Sequence, residues 1–377
     1  MNLIPVHQFE RRLAKLLDLL EALVRLESPS LDKPAVDRLV DLVQAEAARR
    51  GAVVERLPME SVGDQLIARW GSDGGGSLLL VHLDTVHPIG TLQRLPWERR
   101  GRKLFGPGVL DMKASLAMAL EVMEVAGRSG NRPTAPVTLL CTSDEEIGSG
   151  ASRELIQQLA RDHDLVLCLE PALADGSLKT RRKGTGLFRL EITGRPAHAG
   201  VAPGEGINAI VEFSLQVPRI MALQDEPAGT TLTIGTVHGG SRTNVVPEQC
   251  VAQIDARIAV PEEADRVERG LEALEPVLTG ASLSLRGAWN RPPMPRTAAI
   301  GQAYSRAASI AKQLGFSVGE GMTGGASDAN FVAPLGIPLL DGLGPTGGGA
   351  HSLEEFIWVD SLPARCALLA GLISREE

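Results

Sequence analysis

Histidines and acids at the ends of apolar runs are the side chains in this sequence best suited to chemistry. The segment SLLLVHLDTVHP closes an apolar strand with His82 and Asp84, whose side chains emerge on one face because a strand repeats every two residues. A metal-bound imidazole oriented by a carboxylate behind it has this form. PGVLDMKAS sets Asp111 at the turn into a helix, and TSDEEIGSG places Asp144, Glu145 and Glu146 just beyond the strand run PVTLLCTS. DLVLCLEPA puts Glu170 at the end of another apolar strand, before a proline, and GGGAHSLEEF brings His351 out of a glycine-rich loop at a helix start.

Each signal alone has a plain structural reading: a loop histidine, an aspartate capping a helix, a solvated charged turn. Three acids in a row repel one another, and beside a dication that repulsion would be offset and one acid freed to act as a base. Together the segments put His82, Asp111, Glu145, Glu146, Glu170 and His351 at the ends of core elements, where open α/β sheets place their sites. Two imidazoles and several carboxylates suit zinc, and one carboxylate shared by two ions makes a two-metal centre.

The elements that must carry these groups are legible as periodicities. Leu13, Leu16, Leu17, Leu20, Leu23 and Leu26 recur at three and four, which predicts a helix from Phe9 to about Leu26. A second helix is expected from Lys33 to about Arg50, stopping at Gly51. The runs AVVERL, QLIARW and SLLLVHL, a helix from about Met112 to Ala126, and PVTLLCTS then alternate strand with helix, the pattern of an α/β domain. Between Lys183 and Arg286, LFRLEITG, TTLTIGTVHG and EQCVAQIDARIAV alternate apolar with polar positions, separated by helices near Ile207 to Leu223 and Glu262 to Leu274. This predicts an inserted α+β domain whose sheet has one face in water. After RPPMP the first domain resumes, so a catalytic domain of residues 1–182 and 288–377 is expected around an insert of 183–287.

A length of 377 residues favours two domains over one. Hydrophobic residues at 44% and charged residues at 22% are those of a globular protein. A net charge of -8 with 3% aromatics gives no footing for nucleic acid or an anionic membrane, so the expected partner is a small molecule. No stretch approaches the roughly eighteen uncharged apolar residues of a membrane helix, and Glu10, Arg11, Arg12 and Lys15 interrupt any secretory core at the start. Cys141, Cys168, Cys250 and Cys366 form no CxxC pair and read as buried reduced thiols, with the cytoplasm as the expected compartment.

In order along the chain stand HLDTV, DMK, SDEEIGS, LEPA, GRPAHAG, TNVVP, DAR and AHSLEE. By these motifs nearly the whole sequence resembles the zinc-dependent aminoacylase and glutamate carboxypeptidase family, with acetylornithine deacetylase and succinyl-diaminopimelate desuccinylase as relatives. The resemblance implies a zinc-peptidase-like α/β/α catalytic domain with an inserted ferredoxin-like α+β dimerisation domain, hence a homodimer. It implies two zinc ions per chain, with cobalt or manganese as substitutes: one held by His82, Asp111 and Glu170, the other by Asp111, Glu146 and His351, with Asp111 bridging. Glu145 would be the general base, and Asp84 would fix the His82 ring. His198, in GRPAHAG, would reach the partner subunit's site and stabilise the developing oxyanion.

On the same resemblance, Asn244 and Arg257 would orient the substrate. Arg291 would receive a substrate carboxylate through two hydrogen bonds, although an arginine at a domain junction can equally bridge backbone carbonyls. Gly324 and Gly325 in TGGASD could bring backbone N–H groups to that carboxylate. The implied reaction is hydrolysis of the amide bond of an N-acyl or peptidyl amino acid, most like a glutamate-type carboxypeptidase, with a deacetylase, desuccinylase or dipeptidase as near alternatives. A non-catalytic binding protein of this fold would lack a metal ligand or the base, and none is missing. Two departures stand out. Where the family commonly has GRGxxDMKGG this chain reads GPGVLDMKAS, with Pro107, Ala114 and Ser115, which leaves the shape of the loop around Asp111 open. Glu170 in place of aspartate follows the carboxypeptidase and desuccinylase side of the family.

Overall fold

The computed structural model describes residues 3–71, 74–128 and 135–374. The chain forms two compact units, Met1–Arg181 with Arg296–Thr323 and Ser327–Glu377, and Arg182–Pro295 with Gly324–Ala326. The outermost ends of the expected catalytic domain, at 1–2 and 375–377, lie outside the described residues.

The first unit is built on a six-stranded sheet, in the order Val53–Leu57, Gln65–Trp70, Val137–Thr142, Ser77–His82, Leu165–Cys168, Leu339–Leu340. The last four strands run parallel and the first two join antiparallel. Ser77–His82 and Val137–Thr142 are buried at every position, as strands covered on both faces must be. Helices Leu13–Arg25, Ala114–Arg128 and Leu362–Leu372 contribute Leu20, Leu116, Leu120 and Leu368 to one core with Leu79 and Leu139 of the sheet. Truncating one such leucine to alanine costs about 2–5 kcal/mol. Register does the positioning: His82 lies opposite Thr142, and Leu80 opposite Cys168. Parallel strands in that register deliver the residues after 82, 142 and 168 to one edge of the sheet.

Three expected elements differ in detail. The helix expected from Phe9 to Leu26 is two, Val6–Glu10 and Leu13–Arg25. The break falls where Arg12 turns its guanidinium onto the buried carboxylate of Glu121, a partner no local periodicity announces. The helix expected at Met112 begins at Ala114, because Asp111 (φ −116°, ψ 91°) and Met112 are non-helical. The second helix is Lys33–Arg49, with the Asp32 carboxylate accepting from Ala35 N at 3.0 Å and so satisfying an amide the first turn leaves open.

In the second unit, strands Gly184–Thr193, Thr231–Gly239, Gln249–Ile258 and Ser282–Arg291 alternate with helices Ala209–Met221 and Glu262–Glu272. The antiparallel sheet runs second, third, first, fourth, the βαββαβ ferredoxin-like arrangement. Phe188, Leu190 and Ile192 pack with Leu232, Ile254, Ile220, Val267 and Leu271, while the intervening Leu187 and Arg189 are exposed. The expected boundary at 287 is too early. Strand Ser282–Arg291 stays paired to Gly184–Thr193 as far as Arg291, so the unit continues to Pro295. Its second piece, Gly324–Ala326, sits within the segment expected to be wholly catalytic.

Asp64 ties the helix Lys33–Arg49 to the loop before strand Gln65–Trp70. It pairs with Lys33, accepts from Arg56 Nε at 2.7 Å and from Met59 N at 3.0 Å. Burial alone would raise this carboxyl, but the bonds from Lys33, Met59 and Arg56 outweigh it and hold it down to about 2. A carboxylate with a depressed pKa stabilises the fold above its ordinary range and loses that contribution as pH falls through its native value. With Lys33 and Arg56 partly exposed, the contribution is ~1–2 kcal/mol after screening. Asp64→Asn should therefore lower the urea midpoint at pH 7, and the gap to wild type should shrink as pH falls from about 4 toward 2. A gap that is constant with pH would contradict this.

Candidate active site

The C-terminal ends of the parallel strands gather the ligands expected from the sequence. His82, the last residue of its strand, is almost wholly buried and presents Nε2 3.0 Å from Asp111 Oδ1 and 3.7 Å from Glu170 Oε1. His351 presents Nε2 3.3 Å from Asp111 Oδ2 and 3.2 Å from Glu146 Oε2. Asp111 thus has an imidazole on each oxygen, and two half-sites follow: His82 with Glu170, and His351 with Glu146. Ligand atoms of His82, Asp111 and Glu146 all lie within 4.8 Å of one another. Two ligands of one tetrahedral zinc, each about 2.0–2.1 Å from it, stand about 3.3 Å apart, close to the separations seen here.

The electrostatics agree. Burial would raise Asp111, but hydrogen bonds from His351 and His82 hold it well below the usual carboxylate range. Hydrogen bonds to Asp111 and Glu146 lift His351 to about 10. Burial pulls His82 down, yet its bonds to Asp111 and Asp84 keep it well above its ordinary value. The surrounding acids thus favour the charged form of both imidazoles. Glu146 Oε1 is buried with no hydrogen-bond partner among the described residues, an arrangement that costs free energy unless something else fills its lone pairs. An orphaned carboxylate oxygen, nitrogen and oxygen donors and a shared Asp111 fit a metal centre.

Asp84 organises the loops more than the ring. His82 Nδ1 sits 2.9 Å from the Asp84 backbone carbonyl and 3.6 Å from its carboxylate. The carboxylate itself accepts from Ser30 Oγ at 2.7 Å, Glu145 N at 3.2 Å and Glu146 N at 3.1 Å. One buried acid therefore sets the single turn Glu145–Ile147 that carries both acids. Asp144, first of the three adjacent acids, braces the chain that follows, accepting from Ala151 N at 2.7 Å and from Ser152. Burial, and the charges of Asp328 and Asp84, raise its pKa.

Asp111 does not cap a helix. It lies in a turn over Val109–Lys113 entered through Gly108, at φ +68°, and its peptide bond to Met112 is cis. Gly108 takes a left-handed conformation that side chains disfavour. The departure at Ser115 is matched across the packing: a Cβ at Gly344 would lie 2.3 Å from Ser115 Oγ, so the hydroxyl fits because residue 344 has no side chain. No helix starts at His351. It occupies a turn at φ +64°, a conformation a histidine seldom takes and one that clusters at functional sites.

The remaining predicted residues belong to the second unit. His198 pairs with Val245, beside Asn244, in a bridge between two loops: Ala199 N donates to Asn244 O at 3.0 Å and Val246 N to Ala197 O at 2.9 Å. His198 is exposed, and its Nδ1 accepts from Gly200 N and Val201 N at 3.1 Å each, which leaves the ring's own N–H on Nε2. Arg257 forks onto Asp255 at 2.6 and 2.8 Å on the open face of the sheet. Arg291 is buried at the end of its strand, with Nη1 3.1 Å from Asn290 Oδ1. Gly324 has open space where a side chain would go.

Two residues with no role in the sequence reading matter here. The buried Arg182 donates to the carbonyls of Gly325 and Ala326 at 3.0 and 3.2 Å and fixes the TGGA turn. Glu355 grips the Asp111 loop from the far end of the chain. Neither has a local signal, because each partner is more than a hundred residues away.

A model described as Peptidase family M20/M25/M40 matches residues 78–375. The chain is 32% identical to carboxypeptidase G2 of Pseudomonas sp. (strain RS-16) over 362 residues, covering 94% of this chain and 87% of that protein. It is 25% identical to the succinyl-diaminopimelate desuccinylase of Thioalkalivibrio sulfidiphilus (strain HL-EbGR7) over 379 residues, covering 95% and 98%. The fold matches the crystal structure of a tripeptidase from Staphylococcus aureus with a TM-score of 0.80 at 23% identity, covering 96% and 97%. With these matches spanning nearly its full length, the chain belongs to peptidase family M20/M25/M40 and is a metal-dependent hydrolase of amide bonds.

Proposed function

We propose that the chain binds two zinc ions and releases a free amino acid, glutamate or another carboxylate-rich residue, from an N-acyl or peptidyl substrate. The observation that carries this reading is Asp111, with a histidine on each oxygen and a further acid beside each histidine. Likeness to carboxypeptidase G2 over nearly the whole chain favours the carboxypeptidase direction. The desuccinylase likeness keeps removal of a small acyl group as the second reading.

In this reading His82, Asp111 and Glu170 hold one ion, and Asp111, Glu146 and His351 the other, with cobalt or manganese able to replace zinc. Such ions supply Lewis acidity and bring the pKa of water to about 7. Glu145, buried and fixed through its backbone by Asp84, would serve as the general base that takes a proton from the attacking water and returns it to the leaving nitrogen. Arg291, with the N–H groups of Gly324 and Gly325, receives the substrate carboxylate, and Asn244 and Arg257 orient the substrate. His198, with its proton on Nε2, donates to the developing oxyanion. It acts in a homodimer formed through the second unit. Support for a second copy lies in the edge strand Thr231–Gly239 and in the exposed Ile210, Val211 and Leu215 of the helix Ala209–Met221. Four free, buried cysteines are in keeping with a cytoplasmic protein. No helix among the described residues is long and apolar enough to cross a membrane.

Three outcomes test the reading. Release of amino acid from a panel of N-acyl and peptidyl amino acids should be fastest for carboxylate-bearing ones, and Glu145→Gln should lower kcat by roughly 10²–10⁴-fold while zinc content stays unchanged; a metal-loaded wild type inert on the whole panel would overturn the activity. Elemental analysis after dialysis should find two zinc equivalents per wild-type chain and none retained by Asp111→Ala. His198→Ala should lower kcat by roughly 10²–10³-fold with little change in KM, and equal losses in binding alone would remove it from the chemistry.

A further inference from the structure

Glu355 is wholly buried and, among the described residues, forms no hydrogen bond to a proposed ligand side chain, yet its carboxylate meets donors from two distant loops. Oε1 accepts from Leu110 N at 2.8 Å and Asp111 N at 3.0 Å. Oε2 accepts from Gly108 N at 2.9 Å and lies 2.7 Å from His87 Nε2. A carboxylate can only accept, so His87 donates from Nε2. His87 lies on the loop that leaves His82, in HLDTVHP, and Glu355 itself lies four residues after His351 in AHSLEE. Ser352 braces that turn through Gly349 O at 2.7 Å and Glu354 N at 3.1 Å. A single carboxylate therefore joins the loop after His82, the loop that carries Asp111, and the turn that carries His351.

The direction of these bonds matters more than their number. Three amides of one loop turned onto Glu355 point the Asp111 backbone away from the metal-ligand cluster and leave its side chain facing His82 and His351. The same bonds account for the tolerance of Pro107. Proline lacks an N–H, but the amides used are those of 108, 110 and 111, so GPGVLD closes the turn that the more usual arginine would also permit.

We infer that Glu355 is the positioning residue that keeps Asp111 in register between His82 and His351, and so couples the two metal half-sites. The inference rests on the two-metal reading and adds a residue to it. Supporting residues behind metal ligands characteristically change affinity by roughly 10- to 100-fold when lost. Because the ligand side chains remain in Glu355→Ala, the protein should still bind zinc, but with affinity lower by that factor.

The test titrates metal-free full-length chain with zinc against a chelating dye, and with cobalt for its absorption spectrum. Glu355→Ala should bind zinc roughly 10- to 100-fold more weakly, show an altered cobalt spectrum and lose kcat more than it raises KM. Leu20→Ala, a core truncation that lowers the melting temperature, should keep wild-type affinity and spectrum. Glu355→Gln keeps one accepting oxygen and should fall between the two; it also decides the matter if Glu355→Ala does not fold. Wild-type zinc affinity in every Glu355 variant that folds would overturn the proposal. If wild type itself takes up one ion, the two-metal reading fails, while weakened binding of that ion in Glu355→Ala would still uphold the positioning role.

Discussion

The constraint from which the rest of the first unit follows is the crowding of negative charge at one edge of a sheet. Asp84, Asp111 and Glu170 gather around His82, and Asp111 and Glu146 around His351, while Lys113, the nearest lysine in sequence, is turned away to the Leu26 carbonyl at 2.8 Å. Like charges so close cannot all stay ionised in a partly buried space unless cations answer them. The two imidazoles answer part of that charge, and a metal ion would answer more because it can satisfy several oxygens at once. Family membership and the physics of the cluster thus lead to the same chemistry from independent starting points.

The supports around the cluster divide that burden. Asp84 directs one acid-bearing turn through its amides, and Asp144, Asp328 and their hydroxyl partners lie behind it. Each of these buried carboxylates accepts hydrogen bonds, which is how a folded chain tolerates them.

Much of this is readable in the residues. SLLLVH is a strand because its apolar run is short, continuous and bounded, and the period of two puts His82 and Asp84 at its end. The acids and histidines at the ends of apolar runs can be expected to gather, since strand ends in an open parallel sheet share an edge; which of them would hold a metal comes from the resemblance of the motifs. What escapes has its cause elsewhere in the chain. The break at Arg12 depends on Glu121, the start of the helix at Ala114 depends on a turn held by Glu355, and the boundary past 287 depends on pairing between Ser282–Arg291 and Gly184–Thr193. Local periodicity contains no trace of partners so remote. His351 illustrates the reverse error: glycines before it suggest a helix start, whereas they serve a tight turn.

The three residues Gly324–Ala326 leave their own stretch of sequence to join the second unit, where the Arg182 guanidinium holds two of their carbonyls. A contiguous stretch of gene encoding the insert would omit them. Excised as a cassette for transplantation or separate expression, such a fragment would strip a buried cation of two acceptors, so modular engineering of this protein has to carry a discontinuous segment along.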